Sequence, residues 1–305
     1  MKKVIVTTTI YHPTEAIEKF DNMKDWTLVV IGDMKTPKDY KLQNGIYVSP
    51  DEQEKYDKEL SDLIGWNKIM RRNFGFLWAR DMRAEIIATV DDDNIPFEDW
   101  GQNLVVGNVV EVDYYKTELD CFDPIGVTNY PQLWHRGFPV QLLSKRCYSN
   151  KERKKVKVDI QADFWNGDPD IDAICRLEHA PECKFEDKTF PFAANRISPF
   201  NSQNTFLTKD ILKDYFILPY VGRMDDIWAS YHVQSLGYSV VYCKASVYQN
   251  RNPQDLTRNL VDEFLGYEKT IALVKSINNK TYDCRHFWPE RTWKAFQAYK
   301  RNFEK

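Results

Sequence analysis

The chain has 305 residues, a formal net charge of −3 and an apolar fraction of 43%. This length corresponds to one large domain, or to one domain with an added subdomain, and the composition is sufficient for a hydrophobic core. The charge argues against bulk binding of nucleic acid, which requires a basic surface. We find no stretch with the apolar length of a secretory signal or a membrane span. The six cysteines lack CxxC spacing, so we expect reduced thiols in a cytoplasmic protein.

Strands and helices alternate along the first third of the chain. Short, continuous apolar runs predict strands at residues 3–9, 26–31 and 86–90. Helical spacing of apolar residues predicts helices at residues 14–20 and 61–80, and we expect Ser61 or Asp62 as the N-cap of the second. This alternation is typical of an α/β fold with a mainly parallel sheet and helices on its faces.

The pattern changes after about residue 105, where short strand-like pieces and turns run to about residue 199. Further elements are expected as a strand at residues 238–242 and as helices at residues 224–236, 255–274 and 289–303. We therefore divide the chain into a main unit of residues 1–265, with halves of about 1–104 and 105–265, and a C-terminal helical extension of residues 266–305.

Three consecutive carboxylates, Asp91, Asp92 and Asp93, follow the strand at residues 86–90 directly. Like charges this close repel and raise one another's pKa, and a divalent cation would remove the repulsion. Carboxylate oxygens suit Mg²⁺ or Mn²⁺, and these ions suit a diphosphate. The triplet therefore predicts a metal–diphosphate site at the carboxyl end of a strand, where α/β sheets bind ligands. A solvated acidic turn is the alternative.

Polar residues follow the other predicted strands. Thr8 and Thr9 end the first strand, and Asp33 follows the second, so all three are expected near the triplet and near a bound nucleotide. Asp33 is alternatively a simple turn residue after Gly32. Arg71 and Arg72 precede the triplet strand on the predicted helix; adjacent helical residues point about 100° apart, so we expect at most one to face the site.

Two later segments carry candidate chemistry. Asp225 and Asp226 open a predicted helix, where one carboxylate can act as a general base toward an acceptor hydroxyl and where helix capping is the alternative. Asn250 and Arg251 follow a predicted strand. They either lie over a diphosphate or belong to an ordinary polar turn. Since the sequence has no GxxxxGK[ST] or GxGxxG motif, we expect metal and arginine to hold the phosphates.

Together these segments resemble nucleotide-sugar glycosyltransferases of the GT-A fold, in which an Asp-x-Asp metal motif follows a central strand. Blocks similar to segments of the STELLO family lie at residues 31–37, 71–77, 89–94 and 248–252. Residues 135–139 and 222–228 also resemble the reversibly glycosylated polypeptides, which are UDP-arabinopyranose mutases. The blocks keep their order and approximate spacing over about residues 1–265.

The resemblance implies an enzyme of polysaccharide biosynthesis, a hexosyl- or pentosyltransferase with a nucleotide-binding half and an acceptor half. It implies transfer of a sugar from a nucleoside-diphosphate sugar, with UDP as the expected nucleotide, to a glycan or lipid-linked acceptor. It places Mn²⁺ or Mg²⁺ on Asp91, Asp92 and Asp93. The implied nucleotide-sugar-binding residues are Thr8, Thr9, Asp33, Lys35, Arg71, Arg72, Asp91, Asp92, Asn250 and Arg251. Asp225 and Asp226 lie near sugar and acceptor in this reading, with Asp226 as base if the reaction inverts the anomeric centre.

Two departures weaken the resemblance to the mutases. The arginine that becomes glycosylated in mutases corresponds to Leu143, with Lys145 and Arg146 close but displaced, and Gln249 stands where the mutases have a histidine. Both departures favour sugar transfer. A nucleotide-sugar mutase remains the first alternative, and a non-catalytic sugar-nucleotide-binding subunit is the second.

Residues 285–305 combine six basic and two acidic residues with aromatic residues that include Trp288, Trp293, Phe296, Tyr299 and Phe303. Such a helix can dock on an anionic membrane, which would put the protein at the inner membrane face. The alternative is that its aromatic side packs on the domain. The sequence leaves the oligomeric state open.

Overall fold

The computed structural model describes residues 1–304. One sheet contains eleven strands. They are β1 (Lys3–Thr8), β2 (Thr27–Ile31), β3 (Ile46–Val48), β4 (Ile86–Val90), β5 (Asn94–Pro96), β6 (Val109–Tyr115), β7 (Lys151–Lys157), β8 (Ile160–Gly167), β9 (Phe192–Ala194), β10 (Asn204–Thr208) and β11 (Val240–Gln249). The α-helices are α1 (Glu15–Asp21), α2 (Pro50–Tyr56), α3 (Lys58–Ile64), α4 (Arg72–Asp81), α5 (Ala173–His179), α6 (Asp225–Ser235), α7 (Leu256–Asn278) and α8 (Glu290–Arg301).

The strand order is β3-β2-β1-β4-β10-β8-β11-β9-β6-β7, with β5 paired to β11. The first four strands in this order are parallel, and their register sets Thr8 opposite Ile31 and Val6 opposite Thr89. Strand β10 is antiparallel to both β4 and β8, and most other antiparallel pairs also lie in the second half of the chain. The predicted α/β fold, with helices flanking the sheet and a mixed second half, is confirmed.

Close packing of α4 on the sheet fixes the first half. All five residues of β4 are buried. A Cβ at Gly75 in α4 would lie 2.2 Å from Cγ1 of Val6 in β1, so only glycine permits this approach. Because α4 starts at Arg72, this contact also fixes where the first turn of the helix meets the carboxyl ends of β1 and β4.

The prediction of one helix over residues 61–80 is wrong. Helix α3 is capped by the side chain of Asp57 and ends at Gly65, whose φ is +79°. A loop through Asn67, which has a φ of +58°, and a short 3-10 turn at Ile69–Arg71 then lead into α4. The apolar spacing continues across this break because Ile69 and Met70 pack against the core from outside an α-helix. Spacing alone therefore does not reveal the interruption.

The other four predicted helices are present as α1, α6, α7 and α8, and each predicted end lies within four residues of the observed end. The strand predicted at residues 238–242 is longer, since β11 continues to Gln249. Helix α7 runs across the expected boundary at residue 265, and the division of the chain into units remains a prediction. The six cysteines are free thiols, as expected.

The C-terminal helix packs on the domain. Trp288, Phe296 and Tyr299 are buried, and the Tyr299 hydroxyl donates to the carbonyl of Leu212 at 2.7 Å. The aromatic side of α8 is therefore covered by the domain, as the alternative predicts, and contact of the basic face with a membrane stays a prediction. No helix within residues 1–304 combines the length and the apolar character needed to cross a bilayer.

Deletion of residues 284–305 is expected to destabilise the domain. Loss of three buried aromatic side chains exposes the surface that they cover, so the melting temperature should fall by more than about 10 °C, or the protein should aggregate. Thermal unfolding followed by circular dichroism measures the change. Lys294→Gln, on the exposed face of α8, is the control and should melt like the wild type. A soluble truncation with an unchanged melting temperature would contradict this packing.

Candidate functional site

The carboxyl ends of β2, β1 and β4 border a cavity of 260 Å³. The loop before α4 closes one side of it. Seven of the residues that the sequence assigns to one site line this cavity: Thr8, Thr9, Asp33, Arg72, Asp91, Asp92 and Asp93. The fold therefore brings together most of the first-half candidates at the end of the sheet where α/β proteins bind ligands.

Each carboxylate of the triplet has a different environment. Asp91 Oδ1 accepts a hydrogen bond from Nη2 of Arg72 at 2.7 Å, and Asp92 Oδ2 accepts one from the Thr9 hydroxyl at 2.6 Å. The Asp92 carbonyl accepts a hydrogen bond from the hydroxyl of Thr14, the N-cap of α1. Asp93 Oδ1 is buried and has no hydrogen-bond partner in the described part of the chain. The carboxylates of Asp91 and Asp92 are thus anchored, whereas Asp93 has one buried, unsatisfied carboxylate oxygen.

Burial and mutual repulsion disfavour negative charge at this site. Burial raises the pKa of Asp92, although the Thr9 hydroxyl opposes the shift. Burial and the neighbouring carboxylate of Asp91 raise the pKa of Asp93 to about 6. A cation near these oxygens would lower both pKa values and relieve the repulsion. The electrostatics therefore fit a divalent cation.

One arginine faces the triplet, in agreement with the helical geometry. The Arg72 side chain is 1% exposed and reaches Asp91, the Thr8 hydroxyl and both the carbonyl and hydroxyl of Ser202. Arg71 points elsewhere: its Nε donates to Gln53 at 2.8 Å, and burial lowers its pKa to about 10. Of the two candidates for a phosphate contact, Arg72 alone lies at the cavity.

Asp33 holds the loop before α4 in place. Its carboxylate accepts hydrogen bonds from the backbone amides of Met34 at 2.7 Å, Asn67 at 2.7 Å and Lys68 at 2.9 Å. These bonds explain how the break between α3 and α4 is stabilised beside β2. Direct contact of Asp33 with a nucleotide stays a prediction. Lys35 is exposed and does not line the cavity.

The end of β11 approaches the triplet from the other side. The backbone amide of Asn250 donates to the carbonyl of Asp93 at 3.1 Å, whereas its side chain is exposed. Arg251 is 7% exposed, and its Nε lies 3.3 Å from a carboxylate oxygen of Asp168. Its Nη2 is buried without a hydrogen-bond partner among residues 1–304. A buried guanidinium with an unused donor beside acidic residues fits an anionic ligand.

Asp225 and Asp226 differ sharply in environment. Asp226 is 2% exposed, and its carboxylate accepts hydrogen bonds from Nη2 of Arg136 and from the backbone amide and hydroxyl of Ser202. Burial opposes its charge, but these partners outweigh burial and lower its pKa. The Asp225 side chain is 13% exposed, and burial together with the Asp226 carboxylate raises its pKa to about 8.

A buried chain of hydrogen bonds links the two acidic clusters. Ser202 accepts from Arg72 and donates to Asp226, and Arg136 joins Asp226 to Asp170 through two further bonds of 2.8 and 3.0 Å. Sequence reasoning missed Ser202 and Asp170 because each lies in an unremarkable polar segment. Arg136 lies in the segment 135–139, whose chemistry the sequence leaves unassigned.

The residues present fit a metal ion that a ligand shares. Within residues 1–304, no three His, Cys, Asp or Glu side chains are arranged to enclose an ion. A metal held jointly with a diphosphate needs only one or two carboxylates from the protein, since phosphate oxygens and water complete its coordination. The buried, unpartnered Oδ1 of Asp93 is a suitable ligand atom.

The chain resembles plant proteins of the STELLO family, although no family model matches it. It is 26% identical to the probable glycosyltransferase STELLO2 of Arabidopsis thaliana over 185 residues, which is 57% of this chain and 24% of that protein. It is 23% identical to the probable glycosyltransferase STELLO1 of the same plant over 266 residues, which is 79% of this chain and 34% of that protein. The alignments thus span about a quarter to a third of these relatives. The predicted resemblance to the STELLO family is confirmed, whereas the resemblance to the mutases is not.

Among solved structures, similar chains include glucosyl-3-phosphoglycerate synthase from Mycobacterium tuberculosis. The complex with phosphoglyceric acid gives a TM-score of 0.44 at 13% identity, covering 92% of this chain and 79% of that one. The complex with Mn²⁺, UDP-glucose and glycerol 3-phosphate gives a TM-score of 0.43, with the same identity and coverage.

Arg72→Met is expected to lower the free energy of unfolding by at least about 2 kcal/mol, because the change leaves Asp91 and the Ser202 carbonyl without their cationic partner. Urea denaturation measures the loss. The control, Lys19→Met, removes an exposed pair with Glu15 and should change stability by less than about 1 kcal/mol. Equal effects of the two substitutions would show that Arg72 does not balance the triplet.

Proposed function

We propose that this chain is a metal-dependent glycosyltransferase. It binds a nucleoside-diphosphate sugar, with UDP as the expected nucleotide, in the cavity at the ends of β1, β2 and β4. It transfers the sugar to a glycan or lipid-linked acceptor near Asp225. The observation that carries the proposal is the partly buried acidic triplet, in which Oδ1 of Asp93 is unsatisfied, opposite Arg251 and beside the Arg72–Ser202–Asp226 link. Resemblance to two proteins described as probable glycosyltransferases supports the same reaction class.

The donor diphosphate is proposed to lie between the triplet and Arg251. Asp93 and Asp92 are the residues that would hold Mn²⁺ or Mg²⁺, because burial already raises the pKa of each carboxyl. When bound, the ion supplies positive charge to the leaving nucleoside diphosphate. Arg251 offers its unused Nη2 to a phosphate oxygen. Arg72 acts indirectly, since its Nη1 and Nη2 donors are engaged by protein atoms that it holds in position.

Asp225 is the better candidate for the general base. The sequence favours Asp226, but the oxygens of that carboxylate are occupied by Arg136 and Ser202. Asp225 remains partly exposed, and its raised pKa of about 8 suits proton transfer near neutral pH. In this assignment Asp226 positions Asp225: its negative charge raises the pKa of the neighbouring carboxyl. If the reaction retains configuration, Asp225 instead orients the acceptor.

Asp225→Asn is expected to reduce turnover by about 10²–10⁴-fold if Asp225 is the base. The active form is the carboxylate, so wild-type turnover should rise with pH through about 8, and the variant should lose that rise. The stability of the folded protein depends on this group with the opposite sign. A folded carboxyl with a raised pKa retains a proton that the unfolded chain has released, so its contribution to stability falls as pH rises from about 4 to 8.

Kinetics across pH, with circular dichroism as the control for folding, test the role of Asp225. The variant should keep the wild-type spectrum and should be at least as stable as the wild type at pH 8. Near-normal turnover with the same pH profile would remove Asp225 from the chemistry.

The reaction class is tested by incubating the purified protein with a panel of nucleotide sugars, with Mn²⁺ or with a chelator. Slow hydrolysis of one donor that stops in chelator supports a transferase. Isomerised donor with no free nucleotide would instead support a mutase. Besides the two departures in sequence, a structural feature argues against a mutase: Arg146 is engaged by Asp123 and by the carbonyl of Leu133. Donor binding without any turnover would identify a non-catalytic subunit.

A further inference from the structure

A second cavity lies far from the donor cavity. It has a volume of 330 Å³ and lies between β7, the segment after β9 and the turn before β11. Strand β11 begins beside it at Val240 and ends beside the triplet at Gln249. At about 3.3 Å per residue, the length of this strand separates the two cavities by roughly 30 Å. The second cavity is therefore not part of the donor site.

Two cationic side chains line this second cavity: Lys154 and Arg196. The side chain of Lys155 points to the opposite face of β7, because successive residues of a strand alternate and Lys155 shares its face with Arg153. No acidic side chain belongs to its lining in the part of the chain that the structure describes. The cavity is therefore positively charged, although the whole chain is slightly acidic. Charges of one sign in a concave surface raise the local concentration of oppositely charged ligands.

Neighbouring cations of β7 are neutralised, whereas Lys154 and Arg196 are not. Lys151 and Arg153 form ion pairs with Asp113, and Lys157 pairs with Asp159. No carboxylate of residues 1–304 lies within ion-pair distance of the cations in the cavity. The Lys154 ammonium lies over the ring of Tyr114, 3.9 Å from its centroid. The cavity thus receives one unpaired ammonium group from β7.

Arg196 also carries a buried donor without an acceptor. Its Nε is buried and has no hydrogen-bond partner within the described residues, which is costly for a charged group. The polar neighbours do not compensate: the Asn195 amide is bonded to Thr117, and the Gln234 amide to Ser198 and the Ser230 carbonyl. The unused hydrogen-bonding capacity of the two cations consists of charged donors alone. Such a site favours a compact anion with several oxygen acceptors.

We propose that this cavity binds a phosphoryl group, carried as inorganic phosphate or as a soluble phosphate monoester. The guanidinium of Arg196 would bind two of its oxygens, and Lys154 would supply further positive charge. Basic side chains on an edge strand also prevent edge-to-edge pairing, and this accounts for the composition of β7. It does not account for Arg196, which lies outside that strand and has a buried, unused donor.

The test is a titration of ¹⁵N-labelled protein with inorganic phosphate and, separately, with glycerol 3-phosphate, monitored by amide chemical shifts. Saturable changes at residues 193–197 and 237–240 are expected with at least one of them. Added NaCl should weaken the binding. Arg196→Gln should raise the dissociation constant by at least about fivefold, since it removes a charge-assisted contact. Lys154→Ala is a second variant at an exposed position, which keeps the test valid if the first does not fold.

Lys151→Ala is the matched control, because this lysine lies on the same strand and is already paired with Asp113. It should bind phosphate like the wild type. Shift changes confined to the donor cavity around residues 91–93 would overturn the proposal. Unchanged affinity in both Arg196→Gln and Lys154→Ala would do the same. Neither result depends on whether the chain transfers a sugar.

Discussion

Three successive carboxylates at the end of a buried strand require positive charge nearby, and the structure is built around supplying it. Arg72 provides the first cation, and it is almost wholly buried against Asp91. Burying an arginine is costly unless its donors are satisfied. Thr8, Thr89 and Ser202 accept most of them, so β1, β4 and the segment before β10 must meet at this point. Charge balance at the triplet therefore joins the two halves of the chain.

The same requirement connects the proposed donor side with the proposed acceptor side. Ser202 passes the contact from Arg72 to Asp226, and Arg136 continues it to Asp170. Asp226 is consequently held as a charged, fully bonded group, and its charge raises the pKa of Asp225 beside it. One buried network thus gives two adjacent carboxylates different properties, and only the more exposed one suits proton transfer.

Local sequence predicts the elements whose signal is local. The strands that lead to the triplet are short apolar runs, and helical geometry separates Arg72 from Arg71. The break between α3 and α4 is not predicted, because Asp33 stabilises it from a distant segment through the amides of Asn67 and Lys68. The choice between Asp225 and Asp226 likewise depends on Arg136 and Ser202, which are far away in sequence. In the sequence alone, the aromatic side of α8 resembles a membrane-binding face, because the domain residues that cover it are distant in the chain.

The central claim is that metal and diphosphate share the triplet, and coupled calorimetric titrations test it directly. The affinity for UDP should be measured with Mn²⁺ and with chelator, and the affinity for Mn²⁺ with and without UDP. If the two ligands share the site, each tightens the other by the same factor, because binding linkage is reciprocal. Asp93→Asn should reduce this factor. UDP binding that is equally tight in chelator, or Mn²⁺ binding that is indifferent to UDP, would contradict the account.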